Sequence, residues 1–415
     1  MKKVILKSSL GLAVAFASTQ LFASGFALNE QSISGMGTGF AGRSSSADDA
    51  STVFGNPAGM SRIKREQVTG GVAVVDAHTD ISNASSSPNG GSNKGDMVPF
   101  TSVPMGFYVK PIDEHWAFGL GVYVPFGLIT DYENGFAGRY FGSKSEVQVI
   151  TFQPTVSYAF NDKVSIGFGP TINRIDGELT SAIENPFAGG DGKVEIKGDD
   201  TALGYNLGVL FEITPQTRFG LTYHSKVDYR LKGDTTVSGP GVIATSAGTY
   251  DASLELTTPE SVDFSVTHEL NADWTLYAGS TWTRWSRLEE IRANNKGVGG
   301  LLAGNLSSIS EPQNWHDTWA HAVGAAYKLN PQWTLRAGLA VDQSPTNNTD
   351  RSPRIPTGDR TIVSLGTAWS PNDDVTIDLA YSYLMEDDAH IERDDYSATY
   401  KNTAHGLGAQ VTYRF

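Results

Sequence analysis

Cysteine is absent from the 415 residues, which excludes disulfides, thiolate nucleophiles and cysteine-ligated metals. A positive balance is absent too: 31 Lys and Arg face 45 Asp and Glu, for a net charge of −14. A nucleic-acid partner calls for a basic surface, so none is expected. Beyond the first 23 residues no stretch offers 18 continuous apolar positions. The longest uncharged apolar-leaning run, residues 203–211, is broken by Gly, Asn and Tyr. A polytopic helical membrane protein is thereby excluded. The mean hydropathy of −0.24 reads as soluble, but an average is blind to strands that are greasy on one side only.

Catalytic signatures are equally scarce. Gly37-Thr38-Gly39-Phe40-Ala41-Gly42 has dinucleotide-motif spacing, yet no strand precedes it and no βαβ unit surrounds it. His316 and His321 stand five apart, on opposite faces of any strand, so a shared metal is not expected. No Gly-x-Ser-x-Gly elbow, phosphate-binding loop or nucleophile–base pair is visible. Neither an enzyme nor a cofactor is expected.

What is abundant is glycine, 45 residues, together with 19 Phe, 16 Tyr and 8 Trp. That combination suits many strands joined by turns. The N-terminus carries Lys2, Lys3 and Lys7, an apolar centre at 10–16 and small Ala23. This is the pattern of a secretory leader, expected to be cut after residue 23.

Further on, apolar and polar residues alternate. Phe415, Tyr413, Val411, Ala409 and Leu407 stand against Arg414, Thr412, Gln410 and Gly408. Similar ribbons occur at 333–342 and 375–383. The longest sets Phe219, Leu221, Tyr223, Val227, Tyr229 and Leu231 against His224, Lys226, Asp228, Arg230 and Lys232. Such ribbons with aromatic ends suit strands between lipid and a wet lumen. Six short polar turns recur, at 110–115, 161–163, 214–217, 271–273, 330–332 and 370–374. The intervening connections are longer, as at 175–201 and 287–315. With both termini on the short-turn side, six turns imply 14 antiparallel strands. Closure then removes backbone edges that lipid cannot satisfy. Trp282, Trp285, Trp315 and Trp319 are expected in an aromatic girdle near the outer rim.

Strand signal begins near Val68. Residues 24–67 are rich in Gly, Ser and Ala but carry apolar anchors, including Phe26, Leu28, Ile33, Met36 and Phe54. Asn56-Pro57-Ala58 reads as a helix start, with Asn as cap and Pro at the first helical position. The expected fold is all-β: a 14-stranded antiparallel transmembrane β-barrel with an N-terminal lumenal hatch (plug) containing short helices. The divisions are 1–23 leader, 24–67 hatch and 68–415 barrel.

Several of these residues carry a resemblance. Gly25-Phe26-Ala27-Leu28-Asn29-Glu30, then Asp48-Asp49-Ala50 and Asn56-Pro57-Ala58, resemble the hatch of the FadL/TodX (OMPP1) family of outer-membrane transporters. Gly204-Tyr205-Asn206-Leu207-Gly208, Pro259-Glu260, Trp285-Ser286, Arg336-Ala337-Gly338, Ser344-Pro345, Ile355-Pro356 and Asp359-Arg360 follow in order. The resemblance implies passive transport of long-chain fatty acids or similar hydrophobic molecules across a Gram-negative outer membrane. The ligand is captured outside, held in an inner pocket that includes Phe26, and released sideways into the bilayer. In that family the gap comes from an inward kink of the third strand touching the Asn-Pro-Ala segment. The third strand here spans 116–129 and contains Pro125-Phe126-Gly127, where pairing should fail because Pro lacks a donor and Gly weakens a strand. Gly208 resembles a residue lining the exit. The implied gate is therefore Asn56, Pro57, Ala58, Pro125, Phe126, Gly127 and Gly208.

A fatty-acid carboxylate would seek a cation, and parity places Lys226, Arg230, Arg336 and Arg360 on the lumenal face. The alternative for these is an ion-pair network with Asp228, Asp342 and Asp378. Alternative functions are uptake of aromatic hydrocarbons, a general porin, or a barrel enzyme acting on lipids. Outer-membrane lipids and lipopolysaccharide are the expected surroundings, and a monomer is the expected state.

Overall fold

Side chains alternate faces along a strand, and here the alternation runs inside out. Val72, Leu203, Leu221, Leu365 and Leu407 are exposed on the outer face, while Thr69, Gln153, Thr222, Ser364 and Gln410 are buried. The computed structural model describes residues 25–86, 90–185, 190–240, 242, 246–299 and 303–415. The expected leader, residues 1–23, lies outside the described residues. No described helix is long and apolar enough to cross a membrane.

The first strands are β1 (Gln67–Ser86), β2 (Thr101–Pro111), β3 (Trp116–Asp131), β4 (Lys144–Asn161), β5 (Val164–Ile183) and β6 (Gly192–Thr214). β7 (Thr217–His224) continues as β8 (Val227–Ser238), and β9 (Gly248–Thr258) as β10 (Ser261–Glu269). β11 (Trp274–Thr283) continues as β12 (Glu290–Asn295), and β13 (Ser308–Pro312) as β14 (Thr318–Asn330). β15 (Trp333–Asp342) and β16 (Arg360–Trp369) precede β17 (Val375–Glu386), its continuation β18 (Ala389–Arg393), and β19 (Tyr396–Arg414). Five continuations reduce these nineteen stretches to 14 antiparallel strands. The ring closes where β1 pairs with β19, from Gln67 opposite Arg414 to Ser86 opposite Tyr396. Joining the first strand to the last removes the two terminal sheet edges. The expected strand number holds, and the ring begins at Gln67, one residue before the expected start.

All six short turns fall between paired strands. The long connections differ from expectation, because the sheet extends into them. Within 175–201, β5 and β6 stay paired from Val164 opposite Phe211 to Ile183 opposite Gly192. Within 287–315, β12 and β13 pair with each other and β12 with β9.

Aromatic pairs gather at the short-turn end: Trp116 with Tyr158, Trp274 with Tyr327, and Trp333 with Trp369. The expected tryptophan girdle at the other end is only partly present. Trp319 is exposed, but Trp285 and Trp315 are buried. Both sit where the chain leaves the sheet between β11 and β14, so strand parity could not place them.

The polar inward face serves the segment before β1. It contains α1 (Ile33–Met36), α2 (Thr52–Gly55) and a 3-10 turn, Pro57–Arg62. Asn56 caps that turn, its Oδ1 accepting from the Ala58 amide at 3.0 Å, with Pro57 at the first position as expected. Wall side chains from opposite sides of the ring hold the segment. Gln410 accepts from the Ile33 amide at 3.0 Å, Gln153 donates to the Val53 carbonyl at 2.8 Å, and Thr222 donates to the Gly55 carbonyl at 2.8 Å. Where no side chain fits, glycine lets backbone meet backbone: a Cβ on Gly338 would collide with Thr38.

Candidate functional site

The ladder between β2 and β3 is incomplete. β2 pairs with β1 from Thr101 to Val109, but with β3 only from Gly106, opposite Val122, to Pro111. On the other side of β3 the register with β4 slips between Tyr123 and Phe126. Pro125 has no N–H to offer and bends the strand away from its neighbour. The expected failure of pairing at Pro125-Phe126-Gly127 is therefore present.

The freed backbone is not left bare, since buried unpaired peptide groups are costly. Residues 26–31 take the place of the missing neighbour. Leu28 donates to the Pro125 carbonyl and Gly127 donates to the Phe26 carbonyl, both at 2.9 Å. Ala27 and Phe126 form an antiparallel bridge. The Gln31 side chain donates to the Val124 carbonyl at 2.6 Å. No sequence signal marked Gln31 for this role.

This short stretch also separates two cavities. The outer one, about 720 Å³, is lined by Leu128, Leu179, Leu231, Leu254, Leu256 and Ile291, with the Phe26 ring at its floor. Phe26 packs edge-on to Trp285, ring centres 5.0 Å apart, and lies 5.7 Å from Phe126 and 6.1 Å from Trp315. The inner cavity, about 1250 Å³, lies beyond Ala27 and Leu28 and reaches Pro125 and Phe126. Its wall mixes aromatic rings, such as Phe40 and Phe54, with Asn29, Arg43, Thr151 and His224.

One extra residue turns Leu231 into the lining of this outer cavity. β6 pairs with β7 as far as Asn206 opposite His224, and resumes with β8 at Asp199 opposite Lys232, one position out of step. A bulge at Ser225-Lys226 therefore reverses which face each residue takes. Before it, Leu221 points outward; after it, Tyr229 and Leu231 are buried. The same reversal carries Arg230 outside, where its side chain is 83% exposed beside Glu255. Lys226 likewise pairs with Asp228 on the exposed side. Neither faces the lumen, contrary to expectation.

The other two expected cations do face inward but are engaged. Arg336 donates to Asp378 at 2.6 Å beneath Gly37. Arg360 donates to Glu386 at 2.6 Å and to Thr357 at 2.7 Å. Neither lines either of these two cavities, so the ion-pair alternative describes them. Glu30, within the closing stretch, is buried, and its Oε2 has no hydrogen-bond partner among the described residues. Burial pushes its carboxyl up to about 7, against its own backbone hydrogen bond and the charges of Arg43 and Arg360, which pull it down.

Asn56-Pro57-Ala58 and Gly208 lie elsewhere than expected. A Cβ on Gly208 would collide with Asn56 Oδ1, and one on Gly167 with Pro57. Asn56 donates to the Ser44 carbonyl at 2.6 Å and the Val209 carbonyl at 2.9 Å. The turn is seated on β5 and β6, apart from the kink in β3, because only glycine pairs there admit its backbone so closely.

A closed 14-stranded cylinder with an apolar exterior, an N-terminal segment bound to its inner wall and a break in one ladder defines an outer-membrane barrel built around internal cavities. The chain belongs to the outer membrane protein transport protein family (OMPP1/FadL/TodX), whose model matches residues 14–415. It is 28% identical over 454 residues to a long-chain fatty acid transport protein of Escherichia coli O6:H1, covering 100% of this chain and 99% of the relative. It is 29% identical over 445 residues to outer membrane protein P1 of Haemophilus influenzae, covering 96% and 95%. The crystal structure of a Pseudomonas aeruginosa FadL homologue superposes with a TM-score of 0.84 at 26% identity, covering 94% of this chain and 100% of that one. The Ralstonia pickettii toluene transporter TbuX shares the fold, with a TM-score of 0.69 at 20% identity over 92% and 97%.

Proposed function

We propose that this outer-membrane transporter of hydrophobic compounds carries long-chain fatty acids passively and releases them through its wall. In this reading residues 1–23 are an export leader, 24–67 a hatch, and 68–415 the membrane-spanning cylinder. The acyl chain enters the aliphatic outer cavity, passes the Phe26 partition into the inner cavity, and leaves between β2 and β3 into lipid. The observation that carries this is the incomplete β2–β3 ladder, closed by residues 26–31 rather than by strand.

Each buried methylene is worth roughly 0.8 kcal/mol, so a long tail prefers the cavity wall to water by about ten kcal/mol. A sideways exit keeps that term throughout, whereas an axial aqueous bore would lose it. Opening costs two backbone hydrogen bonds, worth about 1 kcal/mol each net, together with the packing of Phe26. Ligand binding opens the route only in so far as the ligand favours the displaced position of the stretch. No nucleotide is needed for downhill transfer. The leucine and isoleucine lining of the outer cavity supports an aliphatic tail over a small aromatic ring.

The test is oleate uptake by cells that depend on this protein. Deleting Pro125, which removes the one-residue slip against β4, should abolish uptake while the barrel still folds and inserts. Uptake at the original rate would refute lateral release. Faster toluene than oleate uptake by the unaltered protein would instead assign it an aromatic cargo.

A further inference from the structure

Small residues stand in one line across the wall of the outer cavity. Gly177 on β5 is in register with Gly198 on β6, Gly198 with Gly233 on β8, and Gly233 with Ala252 on β9. Partners in register share a face, and all of these line the cavity. The next residues on that face are large and aliphatic. Leu179 stands opposite Ile196 on one side of the line, and Leu231 opposite Leu254 on the other. The wall therefore holds a trough that runs across the strands between two aliphatic banks. It spans three interstrand spacings, about 14 Å, the length of an extended alkyl chain of roughly eleven carbons.

Glycine inside a strand weakens it, and none of these three has left-handed backbone. Gly233 is required by packing, because a Cβ there would collide with the Lys197 carbonyl. Gly177 is not: the nearest described atom to a Cβ there is Leu231 Cδ2 at 3.4 Å, an ordinary contact. At Gly198 a Cβ would stand 3.3 Å from Leu231 Cβ. Leu231 thus leans across both glycines, and a side chain at Gly177 would push it into the trough. On their outer face the same strands expose Asp176, Lys197 and Asp199 at this level, but Ile172, Leu203 and Leu207 nearer the short turns. The trough therefore stands beyond the apolar band, where an acyl chain has no lipid to lie in.

We propose that the line Gly177, Gly198, Gly233 and Ala252 seats the hydrocarbon tail in the outer cavity and selects straight, unbranched chains. A linear tail touches both banks along its whole length, and these individually small contacts add up. A compact ring or cage reaches only part of the line. Gly177 and Ala252, at its two ends, set the length of tail that fits, and Leu231 sets the depth. This rests on the proposed transport of acyl chains and adds the residues that choose the tail.

The test is photolabelling of the full-length protein in detergent micelles, with palmitic acid carrying a diazirine at its terminal carbon and the labelled residues read by mass spectrometry. Label should fall on the banks, at Leu179, Ile196, Leu231 or Leu254. Plain palmitic acid should displace it at least about tenfold more tightly than 1-adamantanecarboxylic acid, a cage of the same charge. Gly177→Val takes the room of about two methylenes, so the probe concentration that half-saturates the banks should rise about tenfold. Ala252→Leu, at a position that already carries a side chain, should act in the same direction. Equal displacement by the two acids, or unchanged half-saturation in both variants, would overturn the trough. Should Gly177→Val fail to fold, Ala252→Leu and the two competitors decide the question. If no label falls inside the ring, the acyl-chain reading itself falls; if label is confined to the inner cavity, only the trough falls.

Discussion

The Phe26 carbonyl accepts a 2.9 Å hydrogen bond from the Gly127 amide, so a residue from the N-terminal segment completes a ladder that the barrel's own second strand abandons. The ring of the same residue packs on Trp285. One side chain and its backbone thus close both the partition between the cavities and the break in the wall.

That contact can be locked. Ala27 and Phe126 are bridge partners, a spacing compatible with a disulfide, and the chain has no cysteine to interfere. The double variant Ala27→Cys, Phe126→Cys should lose oleate uptake when oxidised and regain it on reduction. Uptake unaffected by oxidation would show that the stretch need not move.

Gly208 supplies a stability prediction. Gly208→Val places carbon where Asn56 Oδ1 now lies, and overpacking of this kind costs about 1–3 kcal/mol. The variant should unfold at lower temperature on heated gel-shift assays and expose the Asn56 turn to protease. An unchanged profile would mean that the seat on β5 and β6 is not tight.

The arginines should separate cleanly. Arg230→Gln removes a solvent-exposed side chain and should leave both uptake and folding as they were. Arg360→Met leaves buried Glu386 without its cation, a loss of about 3–5 kcal/mol for a broken buried pair. Urea titration of the two purified variants checks the contrast, and a large effect at Arg230 would contradict its outward placement.

Glu30 gives the closing stretch a pH dependence. Its carboxyl titrates near 7 when docked and near 4.5 when released, so the docked form binds the extra proton between these values. Docking is therefore strongest below about pH 4.5 and weakens as pH rises to about 7, beyond which it is constant. Hydrogen exchange of residues 26–36, corrected for the intrinsic rate, should be faster at about pH 8 than at about pH 5. Glu30→Gln should flatten the difference. An equal pH response in the variant would assign the effect to another group.

Much of this architecture is written locally. Turn residues and alternation fix the number of strands, because each hairpin is specified within a few residues. The helix start at Asn56-Pro57 and the weak point at Pro125 are equally local, since a cap and a missing donor act on the nearest backbone. What only the tertiary structure decided is which face is inside. Alternation conveys parity and nothing more, so the single extra residue at Ser225-Lys226 turns Arg230 to solvent and Leu231 into a cavity. Trp285 and Trp315 looked interfacial until the chain's path between β11 and β14 buried them against Phe26. The acids that occupy Arg336 and Arg360 both lie on β17, 42 and 26 residues further along the chain, so these pairs exist only once the sheet has formed.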